Sequence, residues 1–537
     1  MLLVLWSMLP GCRPDAGIDT SPAFHLDLVP VAAENQSPFA DVDQIDLVVG
    51  VQGDAPQTLS LDAPGEGGSV TTSQIAPLEG DVIEVRAYSG GALVAWGRSG
   101  PVELADGDAQ AEVFVARLDE PAWLGALAPG LLHPVLGALG DGRFLLGGGA
   151  TESATGGETV IDTGVDTLLL LALSPPDADL DFVAASTMPA YVDAQGRETH
   201  TARYGASFTP LTAGADAGHL LLVGGSTAPG HLAPADITAD VQIYDPEGAR
   251  WEALGAGAQL STARVDHLAV PLDNGAVLVA GGWGNDGTAA GSPGTAEVYD
   301  PSARRFGDAF ATDGVGMLDL VGASLGEDGG IACGGATVDL VAGTWHTEQG
   351  CAAVGADLLP KTGDVPDLPA SLAGAAMLGL PNGKVLVTGG ATQSTSTALD
   401  EAPAAARDSA WLCAWPAGCQ TTYRMSFPRA GHTMTLLPDG RVLIAGGAAS
   451  YHPLVPPDDA TSCLEIYDPD DGSYTLVPPG CAATGDGGGL PLAASHPTVA
   501  LDPVWGALIV GGATAGSGGA EASSGVTLFV PPPMEEP

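Results

Sequence analysis

The stretch PRAGHTMTLLPDGRVLIAGG, residues 428–447, decides how this chain is read. An apolar run leads into Pro438-Asp439-Gly440, and a second apolar run closes on Gly446-Gly447. Asp-Gly tolerates the positive φ that a tight hairpin turn demands, so the stretch predicts two antiparallel strands. Similar stretches occur at 263–282 (ARVDHLAVPLDNGAVLVAGG), 371–390 (SLAGAAMLGLPNGKVLVTGG), 494–512 and 131–149, with shorter forms ending at 225 and 335. Each ends in paired glycines: Gly148-Gly149, Gly224-Gly225, Gly281-Gly282, Gly334-Gly335, Gly389-Gly390, Gly446-Gly447 and Gly511-Gly512. Downstream, a third apolar run ends in Tyr-Asp-Pro at Tyr244, Tyr299 and Tyr467. A fourth run then carries an aromatic: Trp251, Phe306, Trp345 or Tyr474. The unit is therefore four short strands, repeated at intervals of roughly 50–60 residues.

A four-stranded unit with paired glycines after its second strand resembles the kelch repeat. The resemblance covers most of the chain and implies an all-β fold, a β-propeller with one blade per repeat around a central channel. Seven copies predict seven blades within residues 119–531. The seventh copy has only one strand after its glycines, at 525–531. Residues 120–127, with Trp123 in the place of Trp251, are expected to supply the missing strand and remove an exposed edge. Ahead of the propeller, residues 25–118 read as six or seven alternating strands, such as HLDLVPV (25–31) and VIEVRAY (82–88). They resemble a small immunoglobulin-like β-sandwich. Residues 13–24 read as a linker and 532–537 as a tail.

Composition agrees with this outline. Gly (77) and Pro (43) exceed a fifth of 537 residues, which disfavours long helices and favours turns. Lys and Arg number 17 against 65 Asp and Glu, a formal charge of −48. Such a surface repels nucleic acid and anionic lipid, so neither is expected as a partner. The apolar segment 1–11 is too short to cross a bilayer as a helix and reads as an export signal. Leu9-Pro10-Gly11-Cys12 resembles the lipobox of bacterial lipoproteins, which implies lipidation of Cys12 and an address in the cell envelope, at the outer membrane. A lipid anchor is the one membrane contact expected.

Six further cysteines fall into local pairs: Cys333 with Cys351, Cys413 with Cys419, and Cys463 with Cys481. No CxxC is present, and in an exported chain these pairs read as disulfides. Blade topology places Cys413 and Cys419 on either side of a turn between the third and fourth strands. It places Cys463 and Cys481 at one end of neighbouring strands, and Cys333 and Cys351 two strands apart.

In a four-strand meander the long connections gather on one rim, the expected binding face for a protein or glycan partner. His133, His267, His432 and His496 recur 15, 14, 14 and 15 residues before the first glycine of a pair. Recurrence assigns them, with Arg264 and Arg429, to the repeat framework, hydrogen-bonding a neighbouring blade. Asp468-Pro469-Asp470-Asp471-Gly472 lacks the spacing of a calcium loop and reads as a turn. No G-x-S-x-G, H-E-x-x-H or phosphate-binding loop occurs. No catalytic residue, metal or cofactor is assigned, and the chain is expected to be a monomeric, non-catalytic binding scaffold. The alternative is an enzyme resembling the galactose-oxidase-type copper oxidases, whose site needs two His, two Tyr and a Cys crosslinked to one Tyr. Metabolic labelling with palmitate tests the address: Cys12→Ser is expected to abolish the label and release the protein from the membrane fraction.

Overall fold

The structure, a computed structural model, describes residues 24–31, 37–50, 56–63, 69–72, 79–99, 102–103, 109–127, 130–140, 142–155, 158–164, 167–172, 183–187, 190–192, 198–200, 203–227, 236–285, 290–291, 293–361, 365–415, 417–455, 457–481, 490, 494–503, 505–516 and 519–533. The Cys12 segment lies outside them. Among the described residues every regular element is a strand, apart from the short 3-10 turns Ala256–Ala258 and Gly326–Asp328. No helix among the described residues is long and apolar enough to cross a membrane.

Hairpin turns and apolar runs build sheets on one plan. Ser207–Pro210, Leu220–Val223, Val241–Asp245 and Arg250–Ala253 pair in chain order, all antiparallel. Sheets starting at Val135–Ala138, Leu268–Pro271, Ala373–Gly379 and Ala430–Leu436 repeat this meander. Another runs Thr498–Asp502, Gly506–Val510, Gly525–Phe529, and its outer strand is Pro121–Ala126, from ahead of the first repeat. The first strands lie side by side in chain order, and Thr498–Asp502 also lies against Val135–Ala138. The fold is that of a kelch-like β-propeller.

The sheet starting at Val321–Ser324 departs from the plan. Its Gly330–Cys333 strand pairs directly with Cys351–Val354. Beyond that strand there is a bridge from Val354 to Pro360. Trp345, expected on a fourth strand, lies instead in a hairpin of Ala336–Asp339 with Thr344–Thr347 that leaves the sheet. The inserted hairpin imitates the turn-then-aromatic signal of strands three and four. It also corrects the cysteine geometry: Cys333 and Cys351 face each other on neighbouring strands, not two strands apart. Cys413–Cys419 and Cys463–Cys481 are likewise disulfide-bonded.

Second strands are covered on both faces, which is why they read as unbroken apolar runs. Leu220 and Leu222 pack with Phe208 of their own sheet and with Val135 and Leu145 of the preceding one. Leu221 and Val223 point the other way, into a cluster with Val277, Val279 and Tyr299. Fully burying one such side chain contributes roughly 1.5–3 kcal/mol. The third-strand tyrosines lie opposite the fourth-strand aromatics, Tyr244 on Trp251, Tyr299 on Phe306 and Tyr467 on Tyr474, with ring centroids 5.0, 5.5 and 4.9 Å apart.

Paired glycines stitch sheet to sheet. Both members of each pair have left-handed φ. The second donates its N–H to a carbonyl of the next sheet: Gly149 to Arg203, Gly225 to Arg264, Gly282 to Met317, Gly335 to Leu372, Gly390 to Arg429 and Gly447 to Ala494, at 2.6–2.9 Å. A Cβ on Gly389 would stand 2.3 Å from the Arg429 oxygen, so the first glycine makes room for the stitch. Below it, buried arginines reinforce the repeat. Arg264 and Arg429 pair with Glu297 and Glu465, and Arg203 with Asp240, while each also donates to the carbonyl of the pair's first glycine.

Ahead of the propeller, hydrogen bonds link the strands of the small module into one path, Gln57–Asp62, Gln44–Gly50, Glu79–Ser89, Ala92–Arg98, Ala109–Arg117, Phe24–Val31 and Ser69–Thr72. Phe24–Val31 runs parallel to Ala109–Arg117. Trp96 and Phe114 of this module join Trp505 and Leu528 in one core. Arg441 grips Asp119 with two hydrogen bonds of 2.9 and 2.6 Å, tying the connecting segment to the propeller.

Gly389→Ala is expected to lower the unfolding free energy by more than about 2 kcal/mol in chemical denaturation, since it adds a backbone clash to a strained φ. Gly383→Ala, at φ +75 with nothing within 4 Å of the new methyl, is expected to cost only about 1 kcal/mol.

Candidate functional site

At or just before the start of the first strand of each sheet, one backbone position repeats. Fifteen residues ahead of the first paired glycine stand His133, Asp266, Asp319, Gly374, Gly431 and His496. Gly205 takes the same place nineteen residues ahead, because its hairpin turn is longer. All seven have φ between 45° and 67°. Asp266 donates its N–H to the Gly205 carbonyl, Gly374 to Asp319 and His496 to Gly431, at 2.8, 3.2 and 2.6 Å. Glycine suits this conformation, and a side chain there costs roughly 1–2 kcal/mol. Two imidazoles and two carboxylates are held against that cost, as happens where function requires the side chain.

The four side chains meet with two tyrosines at one end of the first strands, a place called the mouth below. His133 Nδ1 lies 3.4 Å from Asp266 Oδ1, and His496 Nε2 lies 3.3 Å from Asp319 Oδ1. The Tyr451 hydroxyl donates to Asp319 Oδ2 at 2.7 Å. The His133 ring sits 5.1 Å from Tyr204 and 6.4 Å from His496, nearly parallel to the latter. The glycines of the ring give these groups space. A Cβ on Gly205 would fall 2.2 Å from Asp266 Oδ1, and one on Gly431 would fall 2.6 Å from the His496 ring. Beneath the ring is a cavity of about 350 Å³, whose walls include Ser207, Thr209 and Thr498 beside Leu136, Phe208 and Val499.

Proximity sets the charge states. Burial, then the neighbouring Asp319, pushes the Asp266 carboxyl above its usual range despite His133 and His496. Burial would raise Asp319 too, but His496 and the Tyr451 hydroxyl outweigh it and hold that carboxyl low. Burial opposes protonation of His496, yet Asp319 and then Asp266 lift it above the ordinary imidazole value. Asp319 and His496 thus form an ion pair. Burial first, and the carboxylates second, drive the Tyr204 and Tyr451 hydroxyls well above the phenol value, so both stay neutral donors.

The recurring histidines divide into two groups. His133 and His496 occupy the ring, whereas His267 and His432 sit one residue later and turn into the sheets. His267 Nε2 meets Ser207 Oγ at 2.9 Å, and His432 Nε2 meets Thr388 Oγ1 at 2.8 Å, each in the preceding sheet. Burial, and then the nearby Arg264 or Arg429, pushes both imidazoles down to about 3. The single repeat position expected for all four is therefore corrected, and the spacings of 14 and 15 were the signal. Sequence reasoning passed over Asp266, Asp319, Tyr204, Tyr451 and Arg203. The first two were detectable by the same count of fifteen.

Rim connections around the mouth pack on one another. Trp345 meets Tyr451 and His452 edge-on at 5.9 and 5.5 Å, and Trp283, Met317 and Ala430 share their core. Asp468 and Asp471 accept N–H bonds from Asp470 and Ser473 within their own turn. Among the described residues no group of three or more His, Cys, Asp or Glu is placed to hold a metal ion. The galactose-oxidase donor set is met in part. Two imidazoles and two phenols converge, but the six described cysteines are in disulfides and carboxylates engage both ring histidines. The copper–cysteinyl-tyrosine group does not fit these residues.

No known family profile and no curated protein matches the sequence. Among solved structures, the chain is similar to a fungal alcohol oxidase of the AA5 family in complex with copper, at 16% identity over 75% of each chain with a TM-score of 0.47. It is also similar to YjhT, at 14% identity over 66% of this chain and 99% of that one, TM-score 0.42. At these identities the likeness concerns fold alone. The expectation that the chain is not an enzyme is withdrawn on this finding, since the first of these similar structures is an enzyme.

His267 and His432 make stability pH-dependent. Their folded values near 3 lie below the unfolded imidazole value of about 6.5, so the unfolded chain takes up protons first as pH falls. Stability is therefore expected to decline from about pH 6.5 toward pH 3, read as a falling denaturant midpoint. Replacing both with Gln is expected to flatten that decline.

Proposed function

We propose that the chain is an exported propeller of seven blades closed into a ring, whose working site is the axial mouth, where it takes a small polar ligand. The observation that carries this reading is the ring itself. Three of its seven places are glycine, which the backbone favours, and four hold His133, Asp266, Asp319 and His496 in the same left-handed conformation. Closure is supported by the contact of Thr498–Asp502 with Val135–Ala138 and by the pairing of Gly525–Phe529 with Pro121–Ala126. Export is supported by three disulfides, which persist in oxidising compartments. Lipid anchoring at Cys12 and an immunoglobulin-like module at 25–118 are parts of the same proposal. The packed rim loops shape the entrance and offer a surface to a protein or glycan from which the ligand projects.

A second reading, oxidation of an alcohol with copper as in the AA5 enzymes, is favoured by the two imidazoles and two phenols at the mouth. The carboxylates on the imidazoles and the engaged cysteines stand against it. One experiment addresses both. Small polar compounds are screened by thermal shift on the parent and on His133→Gly, which relieves the strained φ while removing the imidazole. A compound that stabilises the parent alone is the expected result, and equal shifts in both proteins would remove the mouth as the site. Hydrogen peroxide release from alcohols after copper loading, lost in His133→Gly, would install the oxidase reading instead.

A further inference from the structure

We infer that the axial cavity is a site for an organic cation, a primary ammonium or guanidinium group, with Asp266 as its counter-ion. The inference rests on the reading of the mouth as the ligand site and names the chemistry of that ligand. Of the two ring carboxylates, Asp319 accepts the Tyr451 hydroxyl at 2.7 Å and has His496 Nε2 3.3 Å away as its ion-pair partner. Asp266 differs. Its Oδ1 is buried and makes no hydrogen bond, with His133 Nδ1 3.4 Å away. An unpaired buried carboxylate oxygen is costly, and a cation with N–H donors removes that cost.

The surroundings favour the same ligand. Asp266 borders the cavity, whose lining contains no Lys or Arg. Ser207, Thr209 and Thr498 offer hydroxyl acceptors below the ring, while Leu136, Phe208 and Val499 supply an apolar wall for the carbon chain that carries the charge. A formal charge of −48 steers cations toward the protein at long range. The groups facing Asp266 are His133, Asp319, His496 and the phenol of Tyr204. Loss of protons from Asp266 and His496, both held above their ordinary values, makes the mouth more negative, so cation binding strengthens as pH rises.

The test is calorimetric titration of the full chain with n-butylammonium, n-butanol and butyrate, followed by a crystal soak with whichever probe binds. Butylammonium is expected to bind in the axial cavity, more tightly at higher pH, and at least ten-fold more weakly in Asp266→Asn, which keeps the shape and a residue tolerant of left-handed φ. Should that variant fold poorly, the comparison of butylammonium with butanol on the parent still decides. Butanol binding as well as butylammonium would overturn the counter-ion role and leave the axial site standing. No probe in the cavity would overturn both.

Discussion

One backbone contact organises the molecule: the N–H of the second paired glycine bonded to a carbonyl two residues ahead of the ring position in the next sheet. It recurs from Gly149 to Arg203 through to Gly447 to Ala494 and sets the distance at which neighbouring sheets meet. Only a pair without side chains permits it, because a Cβ on the first glycine of a pair such as Gly389 collides with the same oxygen. With that spacing held, apolar side chains from adjacent sheets interdigitate. The buried arginines then find both an acid and a glycine carbonyl within reach.

The ring at the mouth follows from this contact. The stitched carbonyl belongs to a residue two places ahead of the ring member, so the stitch also positions the turn that carries Asp266, Asp319 or His496. Ring side chains from distant parts of the chain are thereby brought together, with Tyr451 reaching them from the rim strand Ser450–Tyr451. The left-handed backbone at each place aims the side chain across the mouth instead of along the strand. The residue after it enters the first strand and turns into the sheets, which is where His267 and His432 lie.

Charge divides the cluster unevenly. Asp319 and His496 neutralise each other with Tyr451 assisting, whereas Asp266 has only a more distant imidazole and an unfilled oxygen. A repeat scaffold with identical sheets would produce a symmetric mouth. Here the glycines at 205, 374 and 431 break the symmetry, Gly205 lying against Asp266 Oδ1, Gly374 against Tyr451 and Gly431 against the His496 ring.

Much of the architecture was legible in the residues because it is local. Asp439-Gly440 and Asn274-Gly275 announce hairpins, the doubly covered strands announce themselves as unbroken apolar runs, and the Tyr-Asp-Pro turns announce the third strands. Cysteine pairs 6 and 18 residues apart could only bridge within one unit. Local pattern also misled: Trp345 follows a turn of the right kind yet belongs to an inserted hairpin, because sequence does not reveal which strand it pairs with. The ring was hidden for a related reason. Its members are single residues scattered from 133 to 496, and the one-residue difference between His496 and His432 has no meaning until backbone direction is known. Thus the sequence by itself determined the repeat, the turns and the disulfide partners, since these depend on neighbours a few residues away. The tertiary structure alone decided which histidines face the mouth and which carboxylate oxygen lacks a hydrogen bond, since those depend on how separate sheets pack together.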